Sequence, residues 1–335
     1  MKGIVLRLAG GGLDQLTLVD MPDPGTPARG EIRVRIHASS LNFHDYLVVN
    51  GKHTREGHIP MSDGAGVVEA VGDGVTEFKA GDHVVSCFFP AWEDGPPRTG
   101  DFSTVPGDGV AGYAREAVVR PASCFTHAPR GYGHTEAATL TTAGLTAWRA
   151  LVVDGGLKPG DDVLVLGTGG VSIFALQIAK RMGATVIATS SSEKKIDRLK
   201  ALGVDHTINY RKEENWGARV RELTSGKGAD HVIEVGGAGT LGQSISAVRV
   251  GGHIALIGVL AGNVGEIPTG ALLSKQANLK SLLVGSRQHQ KEFVRALEVT
   301  GLRPVIDKEF ALADIADAFK YEKSGAHFGK ICLKF

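Results

Sequence analysis

The chain of 335 residues is 42% hydrophobic and 22% charged, which suffices to bury the cores of two domains and excludes an intrinsically disordered protein. Its formal net charge of +1 provides no basic surface for nucleic acids or anionic membranes, so neither is expected as a partner. Three widely spaced cysteines, no apolar stretch of membrane-spanning length and no signal-like N-terminus predict a cytoplasmic protein with reduced thiols.

The first part of the chain is rich in short segments of Val and Ile that are separated by turn residues. The strands predicted there are Ile4–Leu8, Glu31–Ala38, Gly66–Val71, His83–Cys87 and Ala114–Val119. Many short strands with this punctuation are typical of a small barrel or sandwich. The stretch Phe89–Gly112, rich in Pro, Gly and Asp, predicts a long surface loop.

Beyond residue 133 the pattern changes to alternating strands and helices. A helical stretch over His134–Val153 is followed by predicted strands at Asp162–Leu166, Thr185–Thr189, His231–Val235, His253–Val259 and Leu279–Ser286, with helices between them. This alternation predicts an α/β fold with a doubly wound parallel sheet. The tail adds a helix, the strand Pro304–Phe310, the helix Ala313–Lys323 and a closing strand Lys330–Lys334.

The most specific motif is a glycine-rich turn that follows the strand Asp162–Leu166. It reads Gly167, Thr168, Gly169, Gly170, Val171 and Ser172. Gly167 permits a sharp turn, Gly169 lets a pyrophosphate approach the backbone, and the helix that follows offers free N–H groups to the anion. A plain glycine turn is the alternative, but strand, turn, helix and next strand stand in the order that a dinucleotide site requires.

The end of the second strand indicates which nicotinamide coenzyme binds. Enzymes that use NAD normally carry Asp or Glu about 20 residues past the glycines, where the carboxylate binds the ribose 2′-hydroxyl. Here Ser190 and Ser191 occupy that region, with Lys195 nearby and Tyr210 after the next strand. Hydroxyls and an ammonium can hold a 2′-phosphate, so we predict NADP(H) rather than NAD(H). The alternative is that the lysine belongs to a solvated helix start.

Six further stretches stand in a particular order along the chain: Leu41–Asp45, Gly64–Gly72, Lys79–Val84, Ala143–Trp148, Lys158–Asp161 and His327–Lys330. With the glycine turn they resemble the medium-chain dehydrogenase/reductase superfamily, most closely its zinc-free, quinone oxidoreductase-like branch. The resemblance implies a GroES-like, β-rich substrate domain from 1–128 and 268–335. It also implies a Rossmann NADP(H)-binding domain over 129–267, an active-site cleft and a homodimer.

The same resemblance extends the predicted cofactor site. Lys195 and Tyr210 match positions that hold the 2′-phosphate, and Thr146 matches a position near the nicotinamide. The complete predicted set is Asn42, Thr146, Gly167, Thr168, Gly169, Gly170, Val171, Ser190, Ser191, Lys195, Tyr210, Gly258, Leu283, Val284, Gly285 and Lys330.

The ligands that zinc enzymes of this superfamily use are missing. Where those enzymes hold catalytic zinc with Cys, His and a further Cys or Asp, this chain has Asn42, the sequence Met61-Ser62-Asp63, and Thr142. Amides and hydroxyls are poor zinc ligands, so we predict no metal. A rearranged site that uses His44 with Asp63 is the alternative.

Without a metal, hydride transfer from the nicotinamide requires an acceptor that stabilises negative charge by itself, such as a quinone or an α,β-unsaturated carbonyl. Candidates to donate the proton or bind the acceptor oxygen are His44, Asn42, Tyr46 and Thr142, although His44 and Tyr46 could equally be structural. The leading prediction is an NADPH-dependent quinone or enone reductase. The alternatives are a zinc-free alcohol dehydrogenase or carbonyl reductase, and a non-catalytic NADPH-binding protein.

Overall fold

The computed structural model describes residues 1–8, 10–51, 55–97, 100 and 102–335. The chain is organised as two compact units. Unit 1 comprises Met1–Leu145 and Val284–Phe335, and unit 2 comprises Thr146–Leu283. Among the described residues, no helix is both long enough and apolar enough to cross a lipid bilayer.

The regular elements follow one another as short strands, then as alternating strands and helices. The strands are β1 (Lys2–Leu6), β2 (Leu16–Asp20), β3 (Glu31–Ser40), β4 (Ala65–Val71), β5 (His83–Ser86), β6 (Ala117–Pro121), β7 (Phe125–His127), β8 (Asp162–Leu166), β9 (Thr185–Ser190), β10 (His206–Asn209), β11 (Ala229–Glu234), β12 (Val248–Leu256), β13 (Asn278–Ser281), β14 (Ile306–Ala311) and β15 (Lys330–Lys334). The α-helices are α1 (Phe43–Val49), α2 (His134–Ala138), α3 (Leu145–Trp148), α4 (Gly170–Arg181), α5 (Glu193–Ala201), α6 (Trp216–Leu223), α7 (Ala238–Ala247), α8 (Thr269–Lys275), α9 (Arg287–Thr300) and α10 (Ile315–Lys323).

Unit 2 contains a parallel sheet with the strand order β10-β9-β8-β11-β12-β13. Numbered within the unit, the strands follow the order 3-2-1-4-5-6 of a Rossmann fold. The chain fills one half of the sheet outward from β8 and then the other half outward from β11. Both faces of the sheet are covered, because Leu164, Ile187 and Val232 on one face and Val165, Ala188 and Ile233 on the other are fully buried. The predicted α/β class with a doubly wound parallel sheet is confirmed.

Unit 1 is built on a second, mainly antiparallel sheet in the order β14-β15-β3-β4-β5-β7, with β6 also paired to β3. The closing strand β15 lies antiparallel to β3 with Cys332 opposite Ser40. This register brings the last residues of the chain next to the residues that follow β3, almost 300 positions earlier in the sequence.

Unit 2 begins at Thr146 and ends at Leu283, whereas the sequence predicted a Rossmann domain over 129–267. Helix α2 packs on β3, β4 and β5, so the residues after 128 remain in unit 1. Strand β13 pairs with β12, which keeps residues 268–283 in unit 2. The sequence pattern marks where new elements begin, whereas the sheet pairings determine the unit to which each element belongs.

The predicted helix His134–Val153 is present, but two stretches of it are wound as π-helix, at Leu140–Gly144 and Arg149–Val153. A π segment carries one residue more per hydrogen-bonded turn and is common at functional sites. The first of these segments contains Thr142, one of the predicted site residues.

The predicted surface loop Phe89–Gly112 is irregular in backbone, but it is not confined to the surface. Phe89, Trp92 and Val105 are buried in unit 1. Arg287 fixes the segment, because its backbone N–H donates to the Trp92 carbonyl at 2.9 Å and its guanidinium donates to Glu93 at 2.8 Å. Residues 98, 99 and 101 of the loop lie outside the described residues.

Candidate functional site

The glycine-rich turn of unit 2 joins β8 to α4 at the carboxyl edge of the parallel sheet. Gly167 has a φ of 73°, which favours glycine. Gly169 has an ordinary extended conformation, and a Cβ added there would meet no protein atom within 4 Å. Neither the backbone nor the packing therefore requires glycine at 169, which agrees with the predicted approach of a pyrophosphate to this turn.

The rest of the turn also fits a dinucleotide. Thr168 is buried and Val171 is half-buried, while Gly170 begins the twelve-residue helix α4. Ser172, at the place of the usual third glycine, donates its hydroxyl to the Leu166 carbonyl at 2.7 Å, which ties helix to strand. The N-terminal N–H groups of α4 are the part of this chain that would hold the pyrophosphate.

The residues predicted to read the 2′ position lie together at the ends of β9 and β10. The backbone N–H of Tyr210 donates to the Ser190 carbonyl at 3.2 Å, and the Ser190 hydroxyl accepts from the N–H of Ser192 at 3.2 Å. The hydroxyl of Ser192 in turn caps helix α5 by accepting from the N–H of Lys195 at 3.4 Å. The structure thus brings Ser190, Ser191, Lys195 and Tyr210 into one corner, as a 2′-phosphate site requires, and their contact with the coenzyme stays a prediction.

Other predicted cofactor residues have roles in the fold itself. A Cβ on Gly258 would lie 2.4 Å from the Val235 carbonyl oxygen, so the close backbone approach alone requires glycine. The Leu283 carbonyl, at the end of unit 2, accepts a bond from buried Arg149 at 3.1 Å, and Thr146 is buried. Val284 has a φ of 43°, a strained value for a β-branched residue, and such strain often accompanies function.

Gly285, next to this strained residue, has a packing explanation. A Cβ there would lie 3.0 Å from the Leu145 side chain. The strand predicted over Leu279–Ser286 is shorter in the structure, since β13 ends at Ser281 and Ser286 caps helix α9.

In unit 1 the side chain of Lys330 lies in a buried polar cluster. Lys330 is 3% exposed, and its ammonium donates to the Leu41 carbonyl and, at 2.6 Å, to Asn42 Oδ1. The sequence analysis had placed Lys330 at the coenzyme. In the structure its ammonium bonds to two acceptors of its own unit, and its contact with the coenzyme stays a prediction.

Asn42 is the centre of this cluster. Its Nδ2 donates to Asp63 Oδ2 at 2.9 Å and to Asp45 Oδ2 at 3.1 Å, while its Oδ1 faces the ammonium of Lys330. Asp45 also accepts from the backbone N–H groups of Asn42 and Ser62, so it holds the start of α1 against the segment before β4. Asp45 therefore has a structural role.

Asp63 is fully buried and is bonded on both carboxylate oxygens. Its Oδ2 accepts from Ser40 Oγ at 2.5 Å as well as from Asn42, and its Oδ1 accepts from Thr142 Oγ1 at 2.6 Å. Burial raises the pKa of Asp63 to about 6, although the ammonium of Lys330 opposes this increase. The preceding Met61 has a φ of 81°, so the turn that presents Asp63 is strained.

A further carboxyl group belongs to the cluster. Burial raises the pKa of Glu322, on α10, to about 8. The charge of Asp45 also raises this pKa, whereas the ammonium of Lys330 lowers it. The ammonium of Lys330 thus opposes the effect of burial on two carboxyl groups, Asp63 and Glu322, whose pKa values lie near neutral pH. The sequence analysis missed Glu322, because nothing in the local pattern relates it to residues 42–63.

The remaining candidates, His44 and Tyr46, both lie on α1. His44 Nε2 is 3.3 Å from Asp108 Oδ2, and its ring contacts Phe88 and Phe102. Burial lowers the pKa of His44, but the bond to Asp108 and the nearby carboxylates outweigh it and raise the pKa overall. Tyr46 packs against Phe319 in an apolar cluster, which favours the structural alternative for this residue.

The donor set of unit 1 does not fit zinc. The three positions that match zinc ligands hold Asn42, Ser62 and Thr142, and the Asn42 carbonyl oxygen is already bound to the ammonium of Lys330. Zinc requires thiolate, imidazole or carboxylate ligands in a tetrahedral array, and a cation next to Asn42 repels it. Within the described ranges, no group of three His, Cys, Asp or Glu side chains could hold a metal ion.

The chain matches known proteins over both units. Residues 28–130 match the alcohol dehydrogenase GroES-like domain, and residues 170–299 match the family described as zinc-binding dehydrogenase. A zinc-type alcohol dehydrogenase-like protein of Schizosaccharomyces pombe is 40% identical, with 96% of each chain covered.

Two solved structures extend the comparison. A candidate alcohol dehydrogenase from Sinorhizobium meliloti 1021 is 42% identical with a TM-score of 0.94, covering 100% of this chain and 98% of that one. A quinone oxidoreductase of Pseudomonas syringae pv. tomato DC3000 is 30% identical with a TM-score of 0.82, covering 100% and 99%. The protein belongs to the medium-chain dehydrogenase/reductase superfamily and is an NAD(P)H-dependent oxidoreductase.

Proposed function

We propose that the protein is an NADPH-dependent reductase that transfers hydride to a quinone or an α,β-unsaturated carbonyl without a metal ion. The observation that carries this proposal is the buried cluster of unit 1, in which Asn42 stands at a position that matches a zinc ligand while its side chain is bonded to the ammonium of Lys330 and to Asp63, a chemistry that disfavours zinc. The bound coenzyme supplies the hydride, and the chain supplies binding, orientation and a proton.

The missing metal restricts the class of acceptor. Hydride transfer to a simple ketone or aldehyde places a full negative charge on one oxygen, which zinc enzymes stabilise with the metal. A quinone or enone instead spreads the charge over a conjugated system. A site whose polar groups are hydroxyls, an amide and a carboxyl with a pKa of about 6 favours these acceptors, because it offers hydrogen bonds and a proton but no strong Lewis acid.

Oxidation of NADPH with a panel of acceptors tests the proposal. We expect turnover with 1,2- and 1,4-naphthoquinones and with an open-chain enone, and turnover about 100-fold or more slower with a saturated aldehyde of the same length. The zinc content of the purified protein is measured in parallel. Activity restricted to simple alcohols and aldehydes, or stoichiometric zinc, would contradict the proposal, and tight NADPH binding without turnover would indicate a non-catalytic protein.

The choice of NADPH rests on the absence of a carboxylate at the end of β9. Ser190 stands there, next to Tyr210 and Lys195. We predict that Ser190→Asp weakens NADPH binding by about 100-fold, since the carboxylate repels the 2′-phosphate, and changes NADH binding by less than about tenfold. Dissociation constants from nucleotide fluorescence titration check both values.

A matched control adds the same charge elsewhere in unit 2. Ser274→Asp changes an exposed serine on α8 and is expected to leave both dissociation constants within about twofold. If Ser190→Asp weakens NADPH and NADH equally, the predicted 2′-phosphate site is wrong and the variant has only disturbed the turn.

A further inference from the structure

The hydroxyl of Thr142 and the carboxyl group of Asp63 form a closely joined pair. Their oxygens are 2.6 Å apart, Asp63 is fully buried, and Thr142 is half-buried. The Thr142 hydroxyl is thus bonded to the fully buried Asp63 carboxyl group and is itself closer to solvent. The π-helical winding of Leu140–Gly144 fixes the backbone of Thr142 in this place.

The other bonds of Asp63 determine where its proton resides. Oδ2 already accepts from Ser40 Oγ at 2.5 Å and from Asn42 Nδ2 at 2.9 Å. Two donors occupy the two in-plane lone pairs of that oxygen. With Ser40 and Asn42 both donating to Oδ2, a proton on Asp63 sits on Oδ1, the oxygen that faces Thr142. In that state Asp63 donates to Thr142, and the hydroxyl proton of Thr142 is turned away from the carboxyl group.

Charged groups around the pair set its proton affinity. Lys330 lowers the pKa of Asp63, whereas Asp45 raises it. His44 and Cys332 also interact electrostatically with Asp63, and Glu322 interacts with Lys330 and Asp45. Burial, the charges of Lys330 and Asp45, and the hydrogen bonds from Ser40 and Thr142 leave the pKa of Asp63 at about 6, so both protonation states are accessible near neutral pH.

We propose that the Thr142 hydroxyl delivers the proton that completes the reduction and that Asp63, acting through Thr142, is the source of that proton. This inference rests on the proposed function. Thr142 is then a catalytic residue, while Asp63 supplies and positions the proton without touching the substrate.

The step balances as follows. Hydride addition to the β-carbon of an enone leaves an enolate, and the enolate takes the proton of Thr142 Oγ1. As that O–H bond breaks, Oγ1 takes the proton from Asp63 Oδ1, and Asp63 becomes a carboxylate. One hydride and one proton have then reduced the double bond by two electrons. Water returns a proton to Asp63 through Thr142 after the product leaves.

The test compares Thr142→Val, Thr142→Ser and Asp63→Asn with an enone as substrate. We expect Thr142→Val to lower turnover by about 100-fold or more and Thr142→Ser to stay within about tenfold of the unaltered enzyme, because only valine lacks the hydroxyl. In the unaltered enzyme turnover should fall as pH rises above about 6, since protonated Asp63 is depleted. In Asp63→Asn this pH dependence should disappear.

Isotope effects separate a chemical role from a structural one. If proton transfer becomes rate-limiting in Thr142→Val, the isotope effect of deuterated NADPH decreases while that of deuterated water increases. Thr141→Val, which removes a neighbouring hydroxyl bonded to Ser86, should leave both isotope effects unchanged. NADPH dissociation constants and melting temperatures show whether each variant is folded.

Failure of the proposed function can be distinguished from failure of the proton-delivery inference alone. If the unaltered protein reduces neither quinones nor enones, the proposed function fails. If it reduces enones, but folded Thr142→Val retains the activity, pH profile and isotope effects of the unaltered enzyme, only the proton-delivery inference fails. Quinone reduction should be reduced less than about tenfold by Thr142→Val, because the hydroquinone anion takes its proton from water after release.

Discussion

Lys330→Met is expected to destabilise the folded protein by about 3–5 kcal/mol at neutral pH, because it removes the cation of a buried charge cluster. The ammonium is 3% exposed and donates to the Leu41 carbonyl and to Asn42 Oδ1. Without it, Asp45 and Asp63 remain buried together on the Asn42 amide with no compensating charge. Denaturant unfolding of both proteins measures the difference.

The loss of folding stability in Lys330→Met should increase as pH rises. The pKa of Asp63 in the folded protein, about 6, is above its ordinary value of 3.8, so protonation stabilises the folded state. That stabilisation is complete below about 3.8 and is lost as pH rises through about 6. Lys330 lowers the pKa of Asp63, so the removal of Lys330 raises this pKa further. We therefore expect Lys330→Met to be more destabilising at about pH 8 than at about pH 5.

A control on the same strand separates burial from charge. Lys334, whose side chain is 59% exposed, pairs with Glu309 at the surface, and Lys334→Met should cost less than about 1 kcal/mol at any pH. The interpretation is wrong if Lys330→Met and Lys334→Met lower the stability equally, or if Lys330→Met is more destabilising in acid. Either result would show that the buried ammonium does not balance the charge of Asp63.

Gly169→Val is expected to abolish measurable coenzyme binding while leaving the fold intact. The residue is extended, with φ −78° and ψ −178°, and an added Cβ would meet no protein atom within 4 Å. The backbone and the Cβ of valine therefore fit the folded chain, but the side chain occupies the space through which a pyrophosphate is predicted to reach the backbone N–H groups. Loss of two charge-assisted hydrogen bonds weakens binding by about 100-fold or more.

The measurement combines NADPH titration with thermal unfolding. Gly242→Val serves as the control, since Gly242 lies exposed on α7 of the same unit with equal free space, and it should leave the dissociation constant unchanged. Gly169→Val should unfold within a few degrees of the unaltered protein. Undiminished NADPH affinity in this variant would place the coenzyme elsewhere and remove the basis of the proposed function.

The sequence by itself determined the Rossmann sheet and its glycine turn. An apolar strand, a turn with glycine at 167 and 169, and a helix are consecutive in the chain, so their geometry depends on local conformational preferences. The same holds for the corner of Ser190, Ser191, Lys195 and Tyr210, because parallel strands end at one edge of the sheet. Alternation of strands and helices then fixed the fold class.

The tertiary structure alone decided the composition of the polar cluster. The antiparallel register of β15 on β3, with Cys332 opposite Ser40, brings Lys330 to Asn42, and the π segment brings Thr142 to Asp63. Contacts between residues so far apart in the chain depend on sheet register and helix packing, which no local pattern encodes. For this reason the family resemblance could place Asn42, Asp63 and Thr142 near one site, but the sequence did not predict the bonds that join them or the bond from Lys330 to Asn42.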